Sequence, residues 1–190
     1  MKIPNTYEII LLLIGLNNNS FSGKTNIHKN LYLIKEMMSN INNFPYSFKP
    51  YFYGPFSYEI SNSLDTLVSV GLLKTNEIDY GDDESFGIKK NIYELSKTGE
   101  EANAQIKTNY KDFYDMFYKY FMKLKDTNYH QNTRILATAA KIRLILSQER
   151  RSLNQSNIKE KAKELGWKIE NRDIDSAIDI LLETGLAKKS

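Results

Sequence analysis

The residues of this chain best suited to chemistry are few and scattered. "SGKTN" at 22–26 has the ending of a phosphate-binding loop. That loop needs a Gly five positions before its second Gly and a strand ahead of it, so that backbone N–H groups cradle phosphate. Position 18 is Asn18, and the preceding segment reads as helical. The expected role is a turn in which Thr25 caps the next helix. His28 and His130 have no acidic or nucleophilic partner at informative spacing, whereas hydrolysis needs such groups together. "DYGDDE" at 79–84 is acidic, but the 12-residue calcium loop with its terminal Glu is absent. With no cysteine and 2 histidines, a thiolate or imidazole metal centre is not expected. We therefore expect no catalytic residue, metal or cofactor, and not an enzyme.

Basic residues are the other candidates. The net charge of +3 hides an asymmetry: residues 1–106 carry 9 Lys/Arg against 12 Asp/Glu, and residues 107–190 carry 17 against 11. Attraction to nucleic acid should come mainly from the second half. Arg150, Arg151, Lys159, Lys161, Lys163 and Lys168 form the densest basic run, with Glu160 and Glu164 interspersed; a solvated face is the plainer reading of it. Lys24, Lys29 and Lys35 surround a helix in the first half, Lys89 and Lys90 lie on a hairpin, and Arg172 starts a helix.

The elements that must carry these groups repeat. "YEISNSLDTLVSVGLLK" places Ile60, Leu64, Leu67 and Val68 on one helical face, with Gly71 as the stop. "RDIDSAIDILLETGLAK" repeats the series at Ile174, Ile178, Leu181, Leu182 and Gly185. The preceding segments also correspond, each half reading helix, helix, helix-then-Gly. That order describes a helix-turn-helix unit, and its recurrence reads as an internal duplication. After Leu73, alternation through "NIYEL" and a turn-rich "DYGDDES" predict a β-hairpin, the wing of a winged helix. The second unit ends at Lys188-Lys189-Ser190 and is expected to be wingless or truncated. Trp167 should cover its core.

The expected fold is mainly α with a small β-hairpin wing, built as tandem winged-helix-like modules over 1–106 and 127–190. Residues 107–126 join them as an aromatic helix. Tyr110, Phe113, Phe117 and Phe121 form its stripe; they suit a helix packed on the first module or, more sharply, a homodimer interface. No apolar run approaches the roughly 20 residues of a membrane span. The N-terminal "MKIPNTYEIILLLIGLNNN" reads as a buried helix rather than a signal peptide. No membrane association and a cytoplasmic location are expected.

"KPYFYGPFSYEI" at 49–60 sets three aromatics beside a Gly-Pro step. Gly54 permits a tight turn, Pro55 suits a first helical turn, and Ser57 is an alternative N-cap. Tyr51 and Tyr53 either pack beneath the helix or grip a partner. With Leu31-Tyr32 and the Leu95-to-Gly99 ending, Tyr53-Gly54-Pro55 resembles a family of small prokaryotic winged-helix proteins that includes YwgA-like and SocA-like (Panacea antitoxin) domains. The resemblance covers about residues 5–103. It implies regulation or protein–protein interaction, not catalysis.

A DNA-binding transcriptional regulator is the leading expectation, contacting duplex DNA through Lys24, Lys29, Lys89, Lys90, Arg150, Arg151, Lys159, Lys161, Lys163 and Arg172. Its third helices are acidic: Glu59 and Asp65 in the first, Asp173, Asp175, Asp179 and Glu183 in the second. Carboxylates oppose docking on phosphate. The alternative is a protein-interaction module, an antitoxin or adaptor, that presents those acidic helices to a protein.

Overall fold

The structure, a computed structural model, describes residues 1–80, 88–127, 129–149 and 153–188, the side chains of 78–80 and 88–90 excepted. The chain is mainly helical with small antiparallel sheets. Its first half runs α1 (Thr6–Leu16), β1 (Ser20–Ser22), α2 (Lys24–Met37), β2 (Lys49–Tyr51), β3 (Gly54–Phe56), α3 (Tyr58–Ser69), β4 (Leu73–Tyr80) and β5 (Ile88–Leu95). α4 (Lys97–Asn109) and α5 (Lys111–Lys125) follow, then α6 (Thr133–Glu149), α7 (Gln155–Glu164) and α8 (Asn171–Thr184). The three-stranded sheet has order β1-β5-β4, so the wing hairpin closes on the short strand before α2.

Local chemistry explains the boundaries. Asn5 and Glu8 form a capping box that starts α1. Ser57, not Pro55, caps α3, its hydroxyl accepting from the Ile60 N–H. Pro55 instead lies on β3 opposite Pro50. Ser96 caps α4 through the Gly99 N–H. A side chain at Gly99 would overlap the Leu72 carbonyl oxygen, which gives the Leu95-to-Gly99 stretch a packing reason. Thr25 caps nothing: Gly23 is the N-cap of α2, and a strand does precede it.

The endings of α3 and α8 match at hydrogen-bond level, and α7 ends the same way at Gly166. Gly71 N–H donates to Val68 O and Leu72 N–H to Leu67 O; Gly185 and Leu186 repeat this with Leu182 O and Leu181 O. Gly71 and Gly185 both have positive φ, 75° and 77°, as this helix ending requires. Among the described residues no strand follows α8.

One hydrophobic cluster runs through both halves. α1 is buried from Ile9 to Ile14, and α2 is buried on almost every side because α6 packs against it. Phe113, Phe117, Phe121 and Leu124 of α5 are fully buried in this cluster. The dimer-interface reading of Phe113, Phe117 and Phe121 is therefore overturned: their rings are consumed within the chain. Tyr110, half-buried, sits at the joint between α4 and α5, with the Lys2 amine 4.8 Å from its ring centre. No described helix is long and apolar enough to cross a membrane.

Polar contacts fix the second half on the first. Arg143 Nε meets Glu36 Oε2 at 2.9 Å, and Arg143 Nη1 donates to Leu186 O. Asn30 Nδ2 donates to His130 O, and Gln131 Nε2 to Asn17 Oδ1. Trp167 covers the core of the second half as expected, and its Nε1–H also reaches Tyr51 O at 2.6 Å.

Candidate functional site: the aromatic hairpin and the cavity beneath it

Strands β2 and β3 form a hairpin whose register pairs Tyr51 with Gly54, so Phe52 and Tyr53 make the turn. Gly54 closes it with φ of 95°, a conformation open to glycine at little cost. Gly54 thus makes the tight turn expected of it, while Pro55 lies on β3 and not in the first turn of α3. The tip projects into solvent: Phe52 is 76% and Tyr53 70% exposed, beside Tyr51 at 44% and Tyr58 at 56%. The rings contact one another in a chain, Tyr51–Phe52 at 4.8 Å, Tyr51–Phe56 at 5.1 Å and Phe56–Tyr58 at 5.1 Å. So Tyr51 and Tyr53 do not pack beneath α3. Large exposed aromatics grouped this way are the chemistry of an interaction surface.

Glu59, Asn62, Asp65 and Thr66 extend this surface along the exposed side of α3. Burial raises the Glu59 carboxyl, but its own backbone N–H, followed by the Ser57 and Ser47 hydroxyls that donate to it, holds it below its usual range.

Behind the hairpin lies a cavity of about 120 Å³, bounded by the first turns of α2 and by rings of Tyr51, Tyr53 and Phe56. His28 stacks on Phe56 with centroids 4.6 Å apart. Its Nδ1 is 2.8 Å from Lys24 O and its Nε2 3.0 Å from Ser57 O. Burial lowers the His28 pKa to about 4, outweighing these two carbonyls, which raise it. A neutral imidazole has one N–H, so one carbonyl faces a ring lone pair.

Lys29 also borders the cavity and is only 2% exposed. Its Nζ donates to Pro55 O at 2.6 Å. Burial, reinforced by the charge of Lys141, lowers its pKa to about 7. Lys141 is itself buried, donating to Lys168 O with its amine 6.0 Å from the Trp167 ring centre.

The expected DNA-contacting residues do not form one surface. Lys29 is excluded by burial, because α6 and the hairpin close over the face that sequence alone leaves open. Lys24 is partly exposed but its amine is 3.0 Å from Asp65 of α3. Lys89 and Lys90 belong to β5 by backbone pairing, opposite Asp79 and Ile78; their side chains lie outside the described residues. Arg150 and Arg151 lie outside the described residues, as does most of the acidic 79–84 stretch. Lys159 is half-buried and Lys163 exposed, one turn apart on α7. Lys161 points away from them and pairs with Glu149 at 3.4 Å and Glu164 at 3.0 Å. Arg172 is exposed in the first turn of α8. Asp173 is buried, 3.3 Å from Arg134, so it leaves the exposed acidic face of α8 to Asp175, Asp179 and Glu183.

Sequence reasoning missed the role of Lys29 and the Trp167–Tyr51 tie. A Lys at 29 two positions from Ile27 and Leu31 carries no signal of burial until α6 is placed. No family model matches the chain, and no curated protein matches it.

Proposed function

We propose that the protein is an interaction module of the antitoxin or adaptor kind, capturing a protein partner through the β2–β3 hairpin and the acidic side of α3. The observation that carries this reading is the exposure of Phe52 and Tyr53 at a hairpin tip braced by Gly54 and by Trp167. Aromatic anchors on a rigid support lose little conformational entropy on binding. The carboxylates of Glu59 and Asp65 beside them favour a partner with basic residues at its rim. The reading accords with the role that the resemblance of the first half implies.

A duplex-DNA-binding regulator is the second reading. It is favoured by the winged-helix order of elements and by Lys159, Lys163 and Arg172 on the second half. The two separate in one pair of measurements. Anisotropy with a labelled random duplex at about 50 mM salt, where counterion release is most favourable, should show no saturable binding. A photo-crosslinking residue at position 53 should give a discrete protein adduct in cells, abolished by Phe52→Ser, while the same group at Tyr118 on α5 gives none. Saturable DNA binding weakened by Lys159→Ala and Lys163→Ala, with no adduct from position 53, would replace the first reading by the second.

A further inference from the structure

The cavity beside the hairpin shares Tyr51 and Tyr53 with the exposed aromatic surface, but the buried Lys29 and the His28 ring belong to the cavity and not to that surface. Its walls are aromatic: Tyr51, Tyr53, Phe56 and the His28 ring stacked on it. At about 120 Å³ it is comparable to the ~150 Å³ apolar cavities that take up benzene. Its polar lining residues are Lys24, Thr25, His28 and Lys29. Lys24 is already neutralised by Asp65. Lys29 is not: among the described residues no carboxylate pairs with it, and the charge acting on it is the like charge of Lys141. An ammonium has three N–H donors, and the hydrogen bond found for Lys29 is the one to Pro55 O. A buried cation with no counter-ion is costly to keep, so this amine strongly favours an anion that can reach it.

We propose that this cavity binds a small carboxylate with a flat apolar body, the carboxylate receiving a hydrogen bond from Lys29 Nζ while the body lies between the aromatic walls. A carboxylate fits better than a phosphate. Its single charge and two oxygens match one amine with donors beyond the Pro55 bond, whereas a phosphate would leave oxygens against rings. The shared chemistry admits two sources, a free organic acid or the carboxylate ending a peptide with an aromatic last residue.

Calorimetric titration with benzoate at pH 6.5 and constant ionic strength tests the site. One saturable site is expected, with Kd at or below about 1 mM for a fragment of this size. Benzamide, the neutral isostere, should bind at least tenfold more weakly, and Lys29→Met should lose benzoate binding by a similar factor. If Lys29→Met does not fold, as judged by circular dichroism, the benzoate-to-benzamide ratio in the wild type decides alone. Competition by Gly-Gly-Phe with a free carboxylate, but not by its amide, assigns the site to chain ends; absence of competition assigns it to free acids. Unsaturable benzoate heats, equal binding of benzamide, or full benzoate affinity in folded Lys29→Met would each overturn the proposal. None of these results depends on the partner assigned to the hairpin.

Discussion

Gly54 and Lys29 are the two residues on which the hairpin turns. Gly54→Val places a β-branched side chain at φ of 95° and within 3.0 Å of Lys141 Cγ. The expected loss is about 2 kcal/mol or more, seen as a lower urea midpoint. An unchanged midpoint would mean that the hairpin adapts. Lys29 has a folded pKa of about 7, below its unfolded value near 10.4. Between these values the unfolded chain binds more protons, so stability should rise with pH across that window. The destabilisation is fully present below about pH 7. Lys29→Met should remove this slope, which urea midpoints at pH 7 and pH 9 for both proteins will check. His28 acts in the same sense at lower pH. Its pKa of about 4 lies below the usual imidazole value, so stability should fall as pH drops from about 6.5 through 4.

At the scale of elements, two aromatic groups of similar composition have opposite fates. On α5 the rings recur every four residues, at Phe113, Phe117 and Phe121, and all are fully buried. Phe117→Ala should cost about 3–5 kcal/mol, the loss typical of a buried ring. On the β2–β3 hairpin the tip rings face water. Phe52→Ser should change stability by no more than about 0.5 kcal/mol while abolishing the crosslink from position 53. Denaturant curves on the two variants separate core from interface; equal losses would put Phe52 in the core. The stripe on α5 was legible from its period. Its burial within one chain was not, because an apolar face reads the same whether a neighbouring helix or a second subunit covers it.

The whole molecule is held as one by contacts across the two halves. Trp167 is the only tryptophan, and its indole N–H is tied to Tyr51 in the first half. Its fluorescence therefore reports the junction, while far-ultraviolet circular dichroism reports all the helices. The two signals should give coincident urea transitions, since one core spans both halves. A fluorescence transition at clearly lower urea would show the second half leaving first. Residues 1–126 alone should aggregate or remain partly unfolded, because they expose the apolar face of α2 that α6 covers.

Sequence alone determined what depends on neighbours along the chain. The helix period of α3 and α8, the Gly71 and Gly185 endings, the wing alternation through β5 and the turn at Gly54 are local effects of side-chain spacing and backbone freedom. Tertiary structure decided which charges meet water. Lys29 lost its exposure to α6 and the hairpin, Lys24 and Lys161 were drawn to carboxylates distant from them or on the same helix, and Asp173 turned inward to Arg134. Those outcomes depend on elements far apart in the chain packing together, and hydrophobic burial selects that packing without regard to the charges it encloses.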